Sequence, residues 1–181
     1  METFSGLVRR VARSLNRSTL QYMFTGAIAS SFYGRPRTTL DIDIVVAAQQ
    51  KELERLAKSL KQARLIVSER KLKIAWNSDY RIATLEDKKS PYTVDIIFTD
   101  QELDRIAGRI SGIPTYYETA ESLILAKLRM LKVTIQPERA ATDRQDIIAM
   151  LKITKIDLKS LRKNAETETT ARILDDLMRE S

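Results

Sequence analysis

Apolar positions along this chain change period several times, and each change marks an element. Leu7, Val8, Val11 and Leu15 recur at three- and four-residue steps, which predicts a helix over about 3–17. An apolar run at about 20–24 reads as a strand, and the small residues of about 26–33 read as a short helix. Strict alternation then appears in Thr39-Leu40-Asp41-Ile42-Asp43-Ile44-Val45-Val46, predicting a strand over about 40–46 with Leu40, Ile42, Ile44 and Val46 on one face. Leu53, Leu56, Ala57 and Leu60 return to helical spacing within about 50–62. Strand-like segments follow near about 64–68, 72–77, 80–85 and 92–98. Thr99 and Glu102 have capping-box spacing and predict a helix to about residue 107. Residues 110–117, with Gly112 and Pro114, read as a connecting strand or loop.

From about residue 119 the pattern is helical to the end. Thr142 and Gln145 again have capping-box spacing, so a helix start is expected there, with Asp143 favoured by the helix dipole. Lys163-Asn164-Ala165-Glu166-Thr167 is the best candidate joint in this tail, and Ile173, Leu174, Leu177 and Met178 stripe the last helix. The order predicts an α/β (α+β) head over 1–117, a mixed sheet flanked by helices, and a helical extension over 118–181 packing on it.

Composition narrows the chemistry. The chain has no Cys, which excludes disulfides, thiolate nucleophiles and zinc–thiolate sites. It has no His, which removes His-based triads and the commonest transition-metal ligand. An enzyme built from this chain must work with carboxylates, Lys, Arg, hydroxyls or a hard metal. A hydrophobic content of 43% over 181 residues supports a real core, while no apolar run approaches membrane-spanning length; a cytoplasmic, membrane-free protein is expected. The net charge of +7 suits a polyanion partner such as RNA. Arg9, Arg10, Arg13 and Arg17 recur at helical spacing, either as a solvated face or as a phosphate-binding one.

The candidate site comes from the strand patterns. Asp41 and Asp43 lie two apart, on the face opposite the apolar one. Such a pair repels itself, and a divalent cation removes the penalty; oxygen-only ligands at this spacing suit Mg²⁺. Upstream, an apolar run reaches Gly26-Ala27 and opens a short helix, an arrangement able to cradle a phosphate on backbone N–H groups. Downstream, Asp95 interrupts the apolar run Tyr92-Thr93-Val94-Asp95-Ile96-Ile97-Phe98. A carboxylate there needs a charged partner, either a metal shared with Asp41 and Asp43 or an Arg or Lys.

Together, a Gly turn, an Asp-x-Asp strand and a third Asp on a later strand resemble the nucleotidyltransferase superfamily of the polymerase-β type. Gly34, Arg37, Thr39, Asp41 and Asp43 also follow, in order, the pattern of its minimal nucleotidyltransferases and abortive-infection toxin branch. Ala27 departs from that pattern, standing where the family has Gly or Ser. Downstream, Lys127 sits in the helical stripe of Leu123, Ile124, Leu128 and Leu131, and Asp143 and Asp146 lie three apart, like the branch's inward Lys and Asp-x-x-Asp helix. Lys127 either snorkels to water or reaches a triphosphate.

The resemblance implies a nucleotidyltransferase that moves a nucleotide from an NTP to a hydroxyl, releasing pyrophosphate, with a two-metal Mg²⁺ site. Asp41, Asp43 and Asp95 would hold metal. Gly26, Ala27, Arg37, Thr39, Lys127, Asp143 and Asp146 would line the nucleotide, with Lys127 catalytic alongside the three aspartates. The implied acceptor is RNA or tRNA in a toxin–antitoxin setting with a cognate toxin or antitoxin protein. The alternatives are antitoxin-like transfer of AMP to protein and a non-catalytic binding module.

Overall fold

A computed structural model describes residues 3–181. The chain forms two compact units: one comprises the chain through Ile28 and Thr38–Glu118, the other Ala29–Arg37 and Thr119–Ser181.

The first unit is built on a six-stranded mixed sheet of order β3-β4-β2-β1-β6-β5. The strands are β1 (Gln21–Phe24), β2 (Asp41–Ala47), β3 (Ile82–Glu86), β4 (Thr93–Thr99), β5 (Arg105–Ile110) and β6 (Ile113–Glu118). β2 runs parallel to β4 and antiparallel to β1, and β1 runs parallel to β6. Alternation decides what is buried. Ile42, Ile44, Val46, Val94, Ile96 and Phe98 are inside, each burial worth about 1.5–3 kcal/mol, while Asp41, Asp43 and Asp95 take the other face. Helices α1 (Phe4–Ser18), α3 (Leu53–Gln62) and α4 (Glu69–Trp76) belong to this unit; α1 packs on α3 and β6, and α4 on α3 and β3. Thr3 caps α1, its hydroxyl accepting from the Gly6 N–H.

Several expectations change on folding. Leu40 lies outside β2 and is 68% exposed, so the buried face starts at Ile42. A 3-10 turn at Gln50–Glu52 precedes α3. The strand expected at 72–77 is the helix α4, because Ser68 caps it and Leu72 and Ala75, three apart, are its buried residues; the apparent alternation ran through Ile74, which is 60% exposed. Of the strand expected at 64–68, one bridge survives, Leu65 to Asp87.

The helix expected from Thr99 is absent. The Thr99 hydroxyl accepts from the Gln101 N–H and closes a turn instead. Arg105–Ile110 is then a strand, joined to β6 by Ser111-Gly112, both at positive φ (46° and 80°), as a two-residue hairpin requires. The α1 arginines do not share one fate: Arg10 turns inward to the Ala63 carbonyl and to Asp87 at 3.0 Å, while Arg9, Arg13 and Arg17 stay exposed.

The second unit is helical: α5 (Ala120–Val133), α6 (Pro137–Ile153), α7 (Leu158–Thr167) and α8 (Ala171–Glu180). α5 packs on α6 and α7, and α8 on the same two helices. The short helix α2 (Gly26–Phe32) begins in the first unit and ends in this one. α6 starts at Pro137 and not at Thr142, whose hydroxyl donates back to the Glu138 carbonyl in mid-helix. Asp143 is therefore not at a helix N-terminus, and the dipole gives it nothing. The joint expected at 163–167 lies inside α7, where Ala165 is buried; the break falls at Glu168–Thr170, with Thr169 at φ 57°.

Candidate active site

In the first unit β2 and β4 run in register with Asp43 opposite Asp95, and Asp41 follows on the same face two residues earlier. One oxygen from each of Asp41, Asp43 and Asp95 lies within 4.8 Å of the others. The Thr39 hydroxyl donates to Asp41 Oδ1 and fixes its direction. Asp95 Oδ1 is buried and has no hydrogen-bond partner, and among the described residues neither Asp41 nor Asp95 makes an ion pair with Lys or Arg. Of the two partners open to Asp95, a Lys or Arg is not the one present.

Gly26 completes this corner. The Thr25 N–H donates to the Asp43 carbonyl at 3.0 Å, which sets the end of β1 against Asp43. Gly26 follows at φ +57°, and a Cβ on it would overlap Asp43 Oδ2 and lie 2.9 Å from its Cγ. The glycine is required twice, for its backbone and for the space that the carboxylate fills. Ala27 is buried in the first turn of α2. Three oxygen donors, one of them a buried atom without a partner, fit a hard divalent cation such as Mg²⁺ and offer nothing to a soft one.

The second unit holds a different cluster. Lys127 is 6% exposed, and its ammonium sits 2.7 Å from Asp143 Oδ1 and 2.8 Å from Asp146 Oδ2. Asp146 is fully buried. It also accepts from Arg35 and from the Ser30 hydroxyl at 3.2 Å, and the Arg37 Nε lies 3.5 Å away. Burial pushes the Asp146 carboxyl up, but the Lys127 charge and hydrogen bond, with Arg35 and Arg37 behind them, outweigh it and hold the group below its ordinary range. Three cations face two carboxylates, so one positive charge is left over. Thus Asp41, Asp43, Asp95, Thr39 and Gly26 gather in the first unit, and Lys127, Asp143, Asp146 and Arg37 in the second.

Comparison with known proteins adds the fold. No family model matches the chain, and no curated protein matches its sequence. Solved structures do. A crystal structure of an antigenic nucleotidyltransferase-like protein from Paracoccidioides brasiliensis is 16% identical with a TM-score of 0.62, covering 97% of this chain and 91% of that one. The antibiotic-resistance factor ANT(2'')-Ia in complex with adenylyl-2''-tobramycin is 15% identical with a TM-score of 0.65, covering 93% and 99%. Its solution structure is 16% identical with a TM-score of 0.63, covering 98% and 97%. The chain has the nucleotidyltransferase fold.

Within this nucleotidyltransferase fold, the structure adds residues that pattern reading passed over. Arg35 is a partner of Asp146, 111 positions away, and no local signal joins them. Ser30 looks like an ordinary small helix residue until Asp146 is placed. Thr25 donates to the buried Glu118 at the end of β6, and a polar residue closing an apolar strand was the one available hint.

Proposed function

We propose that this chain is a Mg²⁺-dependent nucleotidyltransferase that moves a nucleotide from a nucleoside triphosphate to a hydroxyl of RNA. The observation that carries the proposal is the convergence of Asp41, Asp43 and Asp95 within 4.8 Å beside the Gly26 turn. Asp41, Asp43 and Asp95 would hold the metal, Asp41 oriented by Thr39 and Asp43 by the space that Gly26 leaves. When bound, Mg²⁺ supplies charge neutralisation at the phosphates and a lowered pKa for the attacking hydroxyl. The acceptor oxygen bonds to the α-phosphorus, the bond to the bridging oxygen of pyrophosphate breaks, and the hydroxyl proton passes to Asp95 or to solvent. Within the second unit, Lys127, Arg35 and Arg37 carry one charge more than Asp143 and Asp146 absorb, which leaves that cluster cationic.

The acceptor is the finer part of the proposal. A chain of net charge +7 attracts polyanions and repels polycations, which favours RNA, tRNA among its forms. A toxin–antitoxin setting, with a cognate protein that restrains or receives the transfer, is the biological context we attach to it. A second reading is supported by the solved structure that holds adenylyl-2''-tobramycin: transfer to a small polyhydroxylated acceptor.

The test incubates purified protein and Asp43→Asn with each α-labelled triphosphate and Mg²⁺, offering total tRNA, an aminoglycoside mixture or the product of the neighbouring gene. Label in tRNA, absent with Asp43→Asn, is the expected result. Label confined to the small acceptor or to protein moves the assignment to that acceptor, and no label anywhere overturns the enzyme reading.

A further inference from the structure

Apart from the aspartate corner, the first unit carries a concentrated positive surface. Residues 51–73 hold eight Lys and Arg against three Glu, most of the excess charge of the whole chain. Lys51, Arg55, Lys58 and Lys61 line an open groove of about 780 Å³ with Glu54, Gln62 and Glu69. Arg70, Lys73, Ile74 and Asn77 line a second hollow of about 580 Å³, and the consecutive residues Glu69 and Arg70 bring the two together.

Internal pairing consumes little of this charge. Arg55 pairs with Glu52 at 2.5 Å and Lys61 with Glu69 at 2.8 Å. Lys51, Lys58, Arg70 and Lys73 are exposed and make no ion pair among the described residues. Along α3 a rise of about 1.5 Å per residue sets Arg55, Lys58 and Lys61 about 4–5 Å apart along the axis, with Lys51 in the 3-10 turn just before them, a ladder along one groove.

A second, independent observation names the polyanion. Tyr80, three residues beyond the second hollow, is 85% exposed, and Ile74 within it is 60% exposed. An exposed phenol ring costs free energy in water and offers a face on which an unpaired base can stack. A groove lined by cations, with an exposed aromatic three residues further along the chain, suits single-stranded RNA, whose backbone pairs with the cations and whose unpaired bases stack on such a ring.

We infer that the α3–α4 groove binds the backbone of single-stranded RNA, and that Tyr80, just past α4 in the chain, takes one unpaired base. The inference rests on the RNA-acceptor reading for its purpose, and it assigns the docking surface to α3 and α4 and not to the α1 arginines. Lys51, Lys58, Arg70 and Lys73 contact phosphates without reading sequence, and Tyr80 stacks a base.

The test measures fluorescence anisotropy of a labelled, unstructured RNA of about twenty nucleotides, a length that exceeds the site of one small domain. Lys58→Glu/Arg70→Glu/Lys73→Glu should weaken binding at least tenfold and reduce the slope of log affinity against log salt by about 2. Tyr80→Ala should cost at least about fivefold and Tyr80→Phe little. Glu54→Lys, which adds a cation to the groove, should tighten binding. All these positions are exposed, and melting curves check that each variant folds. Wild-type RNA affinity and salt slope in the triple variant overturn the inference. So does a triple variant that loses binding only to vesicles of phosphatidylserine and phosphatidylcholine. Asp43→Asn separates the two proposals: it should bind RNA as the wild type does. If wild-type protein labels no RNA while the groove variants still lose affinity, the transfer reading fails and this one stands.

Discussion

The chain carries two clusters of aspartates, balanced in opposite ways. Asp143 and Asp146 meet Lys127, Arg35 and Arg37, and their charges are more than answered from within the second unit. Asp41, Asp43 and Asp95 crowd within 4.8 Å in the first unit, and Asp41 and Asp95 have no ion pair among the described residues. Carboxylates that close repel, so the native chain alone gains nothing from the arrangement. The difference teaches where each cluster finds its counter-charge. One is answered from within its own unit; the other is the one that the proposed Mg²⁺ would complete.

Five predictions probe that contrast. The largest effect falls on the self-paired cluster. Asp146→Ala takes the carboxylate from Arg35 and Arg37 and leaves Lys127 with Asp143 alone, and should cost about 3–5 kcal/mol in urea unfolding. A loss under about 1 kcal/mol, the range of exposed ion pairs, would mean that the cluster is solvated and the contrast false. The same measurement on Asp43→Asn in metal-free buffer should show no loss, or a slight gain, because one repelling charge is gone. Its transfer rate should nevertheless fall by at least about 10²–10³-fold.

Metal should act on one cluster and not the other. Adding Mg²⁺ should raise the melting temperature of the wild type, with about 2.7 kcal/mol gained at a hundred times the dissociation constant. Asp95→Asn should lose that response, and Lys127→Met should keep it. A Lys127→Met protein blind to Mg²⁺ would contradict the assignment of the metal to the aspartate corner alone.

Gly26→Ala sharpens the local geometry. A side chain at φ +57° costs about 1–2 kcal/mol, and its Cβ displaces the Asp43 carboxylate. A modest stability loss with at least a tenfold loss of Mg²⁺ affinity is expected; unchanged affinity would show that Asp43 takes another rotamer freely.

The smallest effect is in pH. The Asp146 pKa is held below its ordinary range in the folded chain, so its contribution is complete above about pH 4–5 and is lost as pH falls through the folded value. Asp87 behaves alike: burial raises its pKa, but hydrogen bonds from Ser90 and Arg10 and the Arg10 charge bring it below the ordinary value. Stability of the wild type should therefore fall more steeply on acidification than that of Asp146→Asn. Parallel curves would remove Asp146 as an acid-labile anchor.

Pattern reading placed β2 and β4 and their aspartates because alternation over buried strands is a strong local signal, and a charge inside it is conspicuous. Local signals also misled it: α4 reads as a strand, and the segment from Thr99 to about 107 as a helix. Lys71 to Trp76 alternates by accident of one exposed isoleucine, and Thr99 caps a turn where its spacing suited a helix. Short segments with weak local preference are settled by what they pack against.

The sequence by itself determined the chemistry available, which is carboxylates, Lys, Arg, hydroxyls or a hard metal, since it has neither Cys nor His, and the face on which Asp41, Asp43 and Asp95 would lie, since strand geometry alternates. Only the tertiary structure decided that β2 and β4 are neighbours in register, that Gly26 makes room for Asp43, and that Asp146 takes Arg35 as well as Lys127. Those facts join residues about 17 to 111 positions apart, and separations of that length leave no periodicity to read; the pairing is chosen by burial and charge once the chain has closed on itself.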